Sequence, residues 1–216
     1  PQYSINVLVD NQDLNGAPVI YEDSPGFTNL VGRVEYVSQM GTLVTDFNLI
    51  KPGALHQANG GYLILDADKV LTSPYAWIGL KRALKAGEIR IQSLEQLFSF
   101  VSTVQLQPEP IALDVKVVLA GDRSLYYLLQ QYDPEFSTLF KVAADMAEEV
   151  PRSSDSTLAF ARTIKSQLTR YGLLALDRGG VARVIEYAAR WVEDSEKLSV
   201  HEGRLSNLLT ESDYRA

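Results

Sequence analysis

The spacing of apolar and polar positions changes character about two thirds of the way along the chain. Up to about residue 150, short apolar runs bounded by turn residues alternate with segments of helical spacing, which is typical of an α/β domain. After residue 151 the spacing is helical. The pattern therefore predicts an α/β domain with a parallel sheet over residues 1–150, followed by a small all-α domain over residues 151–216.

Two apolar runs in the first domain end on an aspartate. Residues 62–65 precede Asp66, and residues 115–121 precede Asp122. Runs without polar interruption are expected of strands that are buried on both faces of a parallel sheet. Because open α/β sheets bind ligands at the carboxyl ends of their strands, we expect Asp66 and Asp122 to lie together at a ligand-binding edge.

The remaining apolar runs of the first domain predict further strands and one hairpin. The additional strands are Ile5–Val9, Pro18–Tyr21 and Val101–Leu106. Residues 34–37 and 42–50 alternate in polarity around Gln39-Met40-Gly41, which predicts a hairpin inserted near residues 33–50.

Capping residues indicate where the helices begin and end. Ser73-Pro74 predicts the start of a helix that ends near Gly87. In the second domain, one helix is expected from Ser153 to Gly172, and Asp177 is expected to cap the next. The predicted contacts of this domain come from apolar positions of its helices: Leu158, Leu168, Val181, Ile185 and Trp191.

Composition and charge exclude several classes of function. The formal net charge is −7, and no local basic patch offsets it, so no nucleic-acid partner is expected. The absence of cysteine excludes disulfides and zinc–thiolate sites, and two histidines are too few for a three-histidine metal site. No apolar run approaches the length of a spanning helix and no secretory signal is visible, so we expect a cytoplasmic protein without a membrane partner.

The strand that ends on Asp66 has the form of a Walker B element. Such a strand holds a carboxylate rigidly where it binds Mg²⁺, usually through water, beside the phosphates of a nucleotide. A turn or capping role for Asp66 is the alternative, because many buried strands end on aspartate. His56 precedes this strand, and a lone histidine is expected to be a packed or capping residue rather than a ligand.

The residues before this strand resemble a known family. Pro52–Asp66 and Phe27–Arg33 resemble segments of AAA+ ATPases of the helix-two-insert type, which include the Lon-type ATP-dependent proteases. Residues 29–71 are similar to a bacterial Lon-related subfamily whose AAA module has a degenerate nucleotide site. Residues 110–122 resemble the sensor-1 strand of that subfamily, and the similarity continues through Tyr132–Phe136 into a helical lid.

The resemblance implies an AAA+-like parallel-sheet domain with a lid, and ATP and Mg²⁺ as cofactors of the full-length protein. It assigns nucleotide-site roles to four residues: Asp66 (Walker B, holding Mg²⁺ through water), Asp122 (sensor 1), Arg183 (sensor 2) and Lys141 (near the arginine-finger position). An exposed arginine on a helix surface is the alternative for Arg183.

The chain also departs from an active ATPase at several positions. No Gly-x-x-x-x-Gly-Lys-Ser/Thr motif, the Walker A loop that holds the β and γ phosphates, is found in the 216 residues. Ala67 stands where an active site has a water-polarising glutamate, and Asp122 stands where asparagine is usual. Leu139 occupies the finger position, with Lys141 as the nearest cation.

Two functions follow as alternatives. In the first, the chain is the AAA module of an ATP-dependent Lon-like protease, which forms a homo-oligomeric ring and uses nucleotide to unfold and deliver polypeptide. In the second, it is a non-hydrolysing ring scaffold or substrate gate. In both, the chain is a fragment without protease catalytic residues, and the serine–lysine peptidase domain is expected beyond Ala216.

Overall fold

A computed structural model of the protein describes residues 5–94 and 106–216. The chain forms two compact units, one that ends at Ala143 and one that spans Ala144–Ala216. The predicted strand Val101–Leu106 lies outside the described residues, except for Leu106 itself. Each unit is described by itself.

The first unit combines short helices with eight of the nine strands that follow in this order along its chain, the ninth closing a parallel sheet. Its helices are α1 (Phe27–Val31), α2 (Ala54–Gln57), α3 (Ala67–Thr72), α4 (Ala76–Ala86), α5 (Arg123–Tyr132) and α6 (Phe136–Leu139). Its strands are β1 (Val19–Glu22), β2 (Arg33–Val34), β3 (Val37–Gln39), β4 (Thr42–Val44), β5 (Ile50–Lys51), β6 (Tyr62–Asp66), β7 (Glu88–Ile89), β8 (Ile111–Ala112) and β9 (Lys116–Ala120).

Strands β1, β6 and β9 form the parallel sheet, in that spatial order. Val19 lies beside Tyr62, which lies beside Lys116, and at the other end of the ladder Asp66 lies beside Ala120. The two strands that lead to Asp66 and Asp122 are therefore neighbours in one sheet, as predicted. The other strand pairs, β2–β5, β3–β4 and β7–β8, are antiparallel.

The core of the first unit lies between one face of this sheet and helices α1 to α4. Its fully buried side chains include Leu30, Leu55, Leu63, Leu65, Val70 and Leu80. Burying a side chain of this size stabilises the fold by about 1.5–3 kcal/mol relative to leaving it exposed. The helices are short, so this burial, and not helix propensity, holds them in place.

The expected burial of β6 and β9 on both faces is wrong for the described residues. Leu63 and Leu65 are buried, but Tyr62 and Val118, which point to the opposite face, are 40% and 45% exposed. The reason is that α1 to α4 all pack on one side of the sheet.

The predicted hairpin is present. Its arms are β3 and β4, and its tip is Met40-Gly41, both with positive φ (50° and 81°), as the two-residue turns of hairpins require. The pair β2–β5 closes its base.

Two predicted boundaries are wrong. Ile5–Val9 is not a strand; its side chain Asn6 instead donates hydrogen bonds to the carbonyls of Phe47 and Ile50. Helix α4 begins at Ala76 and not at Pro74, because the Ser73 N–H closes the end of α3 on the Lys69 carbonyl. Its end at Gly87, a left-handed cap, is as predicted.

The second unit is helical, with α7 (Ser154–Tyr171), α8 (Arg178–Arg190) and α9 (Glu202–Arg215). Ser153 and Asp177 cap α7 and α8 through their side chains, and Gly172 ends α7 in the left-handed conformation, as predicted. A short antiparallel pair, β10 (Glu149–Pro151) and β11 (Lys197–Ser199), was not predicted.

The core of the second unit only partly uses the predicted side chains. Ile185 is buried, and Leu168, Val181 and Trp191 pack against the core while half-buried. The expectation for Leu158 is wrong, because that side chain is 53% exposed. The buried face of α7 instead passes through Phe160, Ile164 and Gln167, at helical spacing.

Gly61 provides a test of the sheet packing. A Cβ at this position would lie 2.0 Å from the carbonyl oxygen of Pro18, immediately before the β1–β6 ladder. We expect Gly61→Ala to lower the free energy of unfolding by roughly 2–3 kcal/mol, because the two strands must separate to accept the methyl group. Urea denaturation measures this change.

Gly16→Ala is the matched control, because a Cβ at Gly16 meets no atom within 4 Å. Equal stability of the two variants would contradict the proposed close approach.

His56 provides a second test, through pH. The side chain is 5% exposed, its Nδ1 accepts a hydrogen bond from the Gly53 N–H (3.2 Å), and its Nε2 has no partner among the described residues. It is thus a packed, capping residue, as expected. Burial lowers the pKa of His56 from 6.5 to about 4.

Because the folded state prefers neutral His56, its contribution is complete above pH 6.5 and is lost as the pH falls towards 4. Linkage predicts a loss of about 2 kcal/mol of unfolding free energy between pH 8 and pH 5. We expect His56→Gln to remove this component, measured by urea denaturation followed by Trp77 fluorescence in a Trp191→Phe background. His201→Asn, at the exposed cap of α9, is the control and should keep it; the same pH dependence in His56→Gln would refute the assignment.

Candidate functional site

Asp66 lies at the carboxyl end of the central strand, where β6 meets α3. Its side chain is 36% exposed and lies 3.8 Å from the ammonium group of Lys69, one turn further along α3. Lys69 also forms an ion pair with Asp23, just after β1. Asp66 is therefore accessible to a ligand and has one cation beside it.

Sequence reasoning missed Lys69. The hydrogen bond to Asp23 raises the pKa of Lys69, so this group is charged at neutral pH. The spacing of three residues from Asp66 on a helix was a usable signal. The contact with Asp23 had none, because it depends on β1 pairing beside β6.

Asp122 follows β9 and caps helix α5. Its Oδ1 accepts a hydrogen bond from the Ser124 N–H (2.7 Å). Hydrogen bonds from the side chain and backbone of Ser124 hold the pKa of Asp122 below its usual value. The residue is thus a charged capping carboxylate that is exposed at the same edge of the sheet as Asp66.

The chemistry of this edge suits a hydrated cation. Carboxylate oxygens are the ligands that Mg²⁺ prefers, and Mg²⁺ usually keeps several waters when one or two carboxylates hold it. Across residues 5–94 and 106–216, no group of three or more His, Cys, Asp or Glu residues is placed to hold a metal. Asp66 and Asp122 therefore fit a water-mediated site that needs oxygen ligands from a bound molecule.

Ala67 occupies the position after Asp66. It is 5% exposed, and a Cβ on Gly121 would lie 2.9 Å from its methyl group. The two neighbouring strands thus end with small residues in close contact. No carboxylate stands at this position to polarise a water molecule.

Lys141 is exposed in an irregular segment after α6. The segment before it is held by a group that we call the Asp133 clamp: Asp133, Trp77, Lys81, Glu135, Phe136 and Phe140. The Asp133 carboxylate accepts hydrogen bonds from the Trp77 indole (2.7 Å) and from Lys81 (2.8 Å). The Phe140 ring stacks on Trp77, with centroids 5.8 Å apart.

Charge balance keeps the Asp133 clamp closed. Burial raises the pKa of Asp133, but hydrogen bonds from Lys81, Trp77 and the Glu135 backbone outweigh it and hold the pKa below its usual value. Lys81 also lies 3.0 Å from Glu135, which pairs with Lys85 as well. The clamp therefore fixes the backbone that leads to Lys141, and the sequence analysis did not predict it.

Arg183 lies on α8 in the second unit. It is exposed and pairs with Glu186 at 2.6 Å, and this hydrogen bond raises the pKa of the guanidinium. Glu186 is also paired with Arg190. Because Arg183 belongs to a different unit from Asp66 and Asp122, its sensor-2 role stays a prediction, as does the finger role of Lys141.

The described residues contain no helix that is long and apolar enough to cross a membrane.

Comparison with known proteins identifies the family of both units. The family model described as "LonB-like, AAA domain" matches residues 15–147, and the one described as "Archaeal LonB, AAA+ ATPase LID domain" matches residues 175–216. A Lon protease homolog of Escherichia coli (strain K12) is 26% identical over 156 residues, which cover 69% of this chain and 25% of that protein.

One solved structure, NtrX from Brucella abortus, aligns with a TM-score of 0.47 and 17% identity, over 87% of this chain and 37% of that one. A similarity at this level carries no argument. The chain spans about a quarter of the length of the curated relative that it matches.

The family match covers more than half of the chain, includes the sheet edge that carries Asp66 and Asp122, and is followed by a match to the lid. The chain therefore belongs to the LonB-like AAA domain family and is a Lon-type AAA+ module with its lid.

Proposed function

We propose that this module admits polypeptide to the peptidase domain of a Lon-like protease through a homo-oligomeric ring. The hairpin carries the argument. Residues 36–45 contain no charged side chain, and Met40 at the tip and Leu43 beside it are 107% and 71% exposed.

An uncharged, apolar and exposed hairpin suits contact with unfolded polypeptide. Exposed apolar groups on a protein surface mark sites of interaction. Backbone and apolar contacts do not depend on a particular sequence, so such a tip can hold many different substrates. The tip is also offered on a defined stem, because β2 and β5 pair at its base.

Nucleotide coupling is the first version of this function. Membership of the AAA+ family supports the use of ATP with Mg²⁺. In this version Asp66 holds Mg²⁺ through water and Asp122, Lys141 and Arg183 act on the nucleotide. These roles remain proposals, as does a cytoplasmic location, which the lack of cysteine favours.

A non-hydrolysing gate is the second version, and Ala67 specifically favours it. The position that needs a carboxylate to activate water holds a buried methyl group packed against Gly121. In this version the ring positions polypeptide without using ATP. Cleavage of unfolded substrate by the complete protein, in the absence of any ATPase activity, supports the gate; cleavage that requires ATP hydrolysis supports the coupled version.

The hairpin predicts a difference between large and small substrates. We expect the double substitution Met40→Ser and Leu43→Ser to slow cleavage of an unfolded protein by the complete protein at least about tenfold, because each lost apolar contact costs about 1 kcal/mol. Cleavage of a short peptide that reaches the peptidase by diffusion should be unchanged.

Asn11→Ser, in an exposed turn, is the control. If the double variant cleaves unfolded protein as fast as this control, the hairpin does not handle substrate.

The charges at the site predict weak nucleotide binding by the 216-residue chain alone. Asp66 and Asp122 are both acidic, Lys69 is already paired with Asp23, and the Walker A donors are absent from this sequence. We expect calorimetry with Mg-ATP to show no site tighter than about 10 μM, which corresponds to roughly 7 kcal/mol.

A tighter site would mean that other groups in the chain supply phosphate donors. In that case Arg183→Ala should weaken binding, and Arg190→Ala, which removes the other partner of Glu186, is the matched control. Equal affinity of both variants would remove Arg183 from the sensor-2 role.

A further inference from the structure

The parallel sheet of the first unit has one covered face and one bare face. The covered face packs Ile20, Leu63, Leu65, Val117 and Leu119 against helices α1 to α4. The bare face carries Val19, Tyr21, Tyr62, Ile64, Lys116 and Val118, at alternate positions of the same three strands. Val19 and Tyr21 are 61% and 56% exposed.

The bare face is apolar across all three strands. The register places Tyr21 beside Ile64, and Ile64 beside Val118, so these side chains form one continuous surface. Lys116 is the single charged side chain of the face at its amino end, and its ammonium lies over the Tyr62 ring. Sheets of parallel strands are covered on both faces in folded proteins, because their connections place helices there.

The outer edge of the sheet is also open beside β9. Within the described residues, β9 pairs with β6 and with no strand on its other side. An unpaired edge of apolar strand is a template for one more strand. The bare face and the open edge adjoin each other at Val118, so one unit of chain can cover both.

The handedness of crossover connections decides where that unit lies in the sequence. The connections from β1 to β6 and from β6 to β9 run in one direction across the sheet and place α1 to α4 on the covered face. A strand beside β9 whose connection leads back to β1 crosses the sheet in the opposite direction. Because such crossovers are right-handed in nearly all proteins, its helix lies on the opposite face, which is the bare one.

We propose that the bare face and the open edge of β9 are covered by a strand–helix unit of the same polypeptide that precedes these 216 residues. The strand pairs in parallel with β9, and the following helix packs an apolar side on Tyr21, Ile64 and Val118. The described residues before β1 contain no such unit. The inference does not depend on the proposed handling of substrate or nucleotide.

Cysteine labelling tests the proposal, because the chain has no cysteine of its own. Val118→Cys is made in the 216-residue chain and in the protein as expressed from its natural gene. A maleimide is added to each under native conditions, and the peptide that spans residues 117–123 is quantified by mass spectrometry after tryptic digestion. We expect labelling at least about tenfold slower in the natural protein.

Two control variants calibrate the labelling rates. Glu211→Cys on the exposed side of α9 should react quickly in the 216-residue chain, and Ala58→Cys, at a fully buried position of the core, should be protected in both proteins. Tyr21→Cys, on the same face at the other edge strand, repeats the test in case Val118→Cys misfolds. Equal rates in the two proteins for both bare-face variants would overturn the proposal.

The alternative occupants give different results. If the 216-residue chain is a dimer by light scattering and Val118→Cys is already protected in it, the face binds a second copy and the proposal is wrong. Truncation of the natural protein after Ala216 should leave Val118→Cys protected, because the covering unit precedes β1. Loss of protection on that truncation would assign the cover to a following domain and would also overturn the proposal.

Discussion

Strand β6 has a parallel neighbour on each side, and this pairing is the constraint on which the rest of the first unit depends. Its two inward side chains, Leu63 and Leu65, are fully buried under the helices. The ladder also sets the positions of its ends: Gly61 must be glycine where β6 meets Pro18, and Asp66 emerges beside the end of β9. The candidate site is therefore a product of strand register, and no loop has to bring its two carboxylates to the same edge.

The same register brings a second relation that bears on chemistry. Because β6 and β9 end side by side, Ala67 and Gly121 are in close contact at the start of their following segments. Both are small, and a larger side chain at either position would need the strands or helices to move apart. The lack of a carboxylate after Asp66 is thus built into the packing between two strand ends as well as into the residue type. This links the local packing with the choice between a nucleotide-driven module and a gate.

Local signals in the sequence were sufficient wherever a single residue decides a structure. The caps at Ser153, Asp177, Gly172 and Gly87, the hairpin around Met40-Gly41, and the neighbouring strands before Asp66 and Asp122 were all predicted. Ser73 failed as a cap because its N–H was already used to end α3, which the sequence did not announce. Leu158 failed because an apolar residue at helical spacing can still lie beside the buried stripe and not within it.

The rest depends on contacts between distant segments, for which the sequence has no local signal. Lys69 meets Asp23 only because β1 lies next to β6, and Asp133 meets Trp77 only because α4 returns beside the chain after α5. Burial of a strand on both faces likewise depends on helices that are not part of the strand itself. Periodicity can say that a strand is apolar on both sides, but not what covers it.

The Asp133 clamp has a mechanical consequence. It ties the stretch that ends at Phe140 to one side of α4, while the opposite side of α4 packs on α1 in the core. A force applied at Lys141 is therefore carried through two salt-bridged carboxylates and a stack of rings into the centre of the first unit, and is not absorbed by bending of a loop. The segment behaves as a stiff lever whose displacement tilts α4 as a whole.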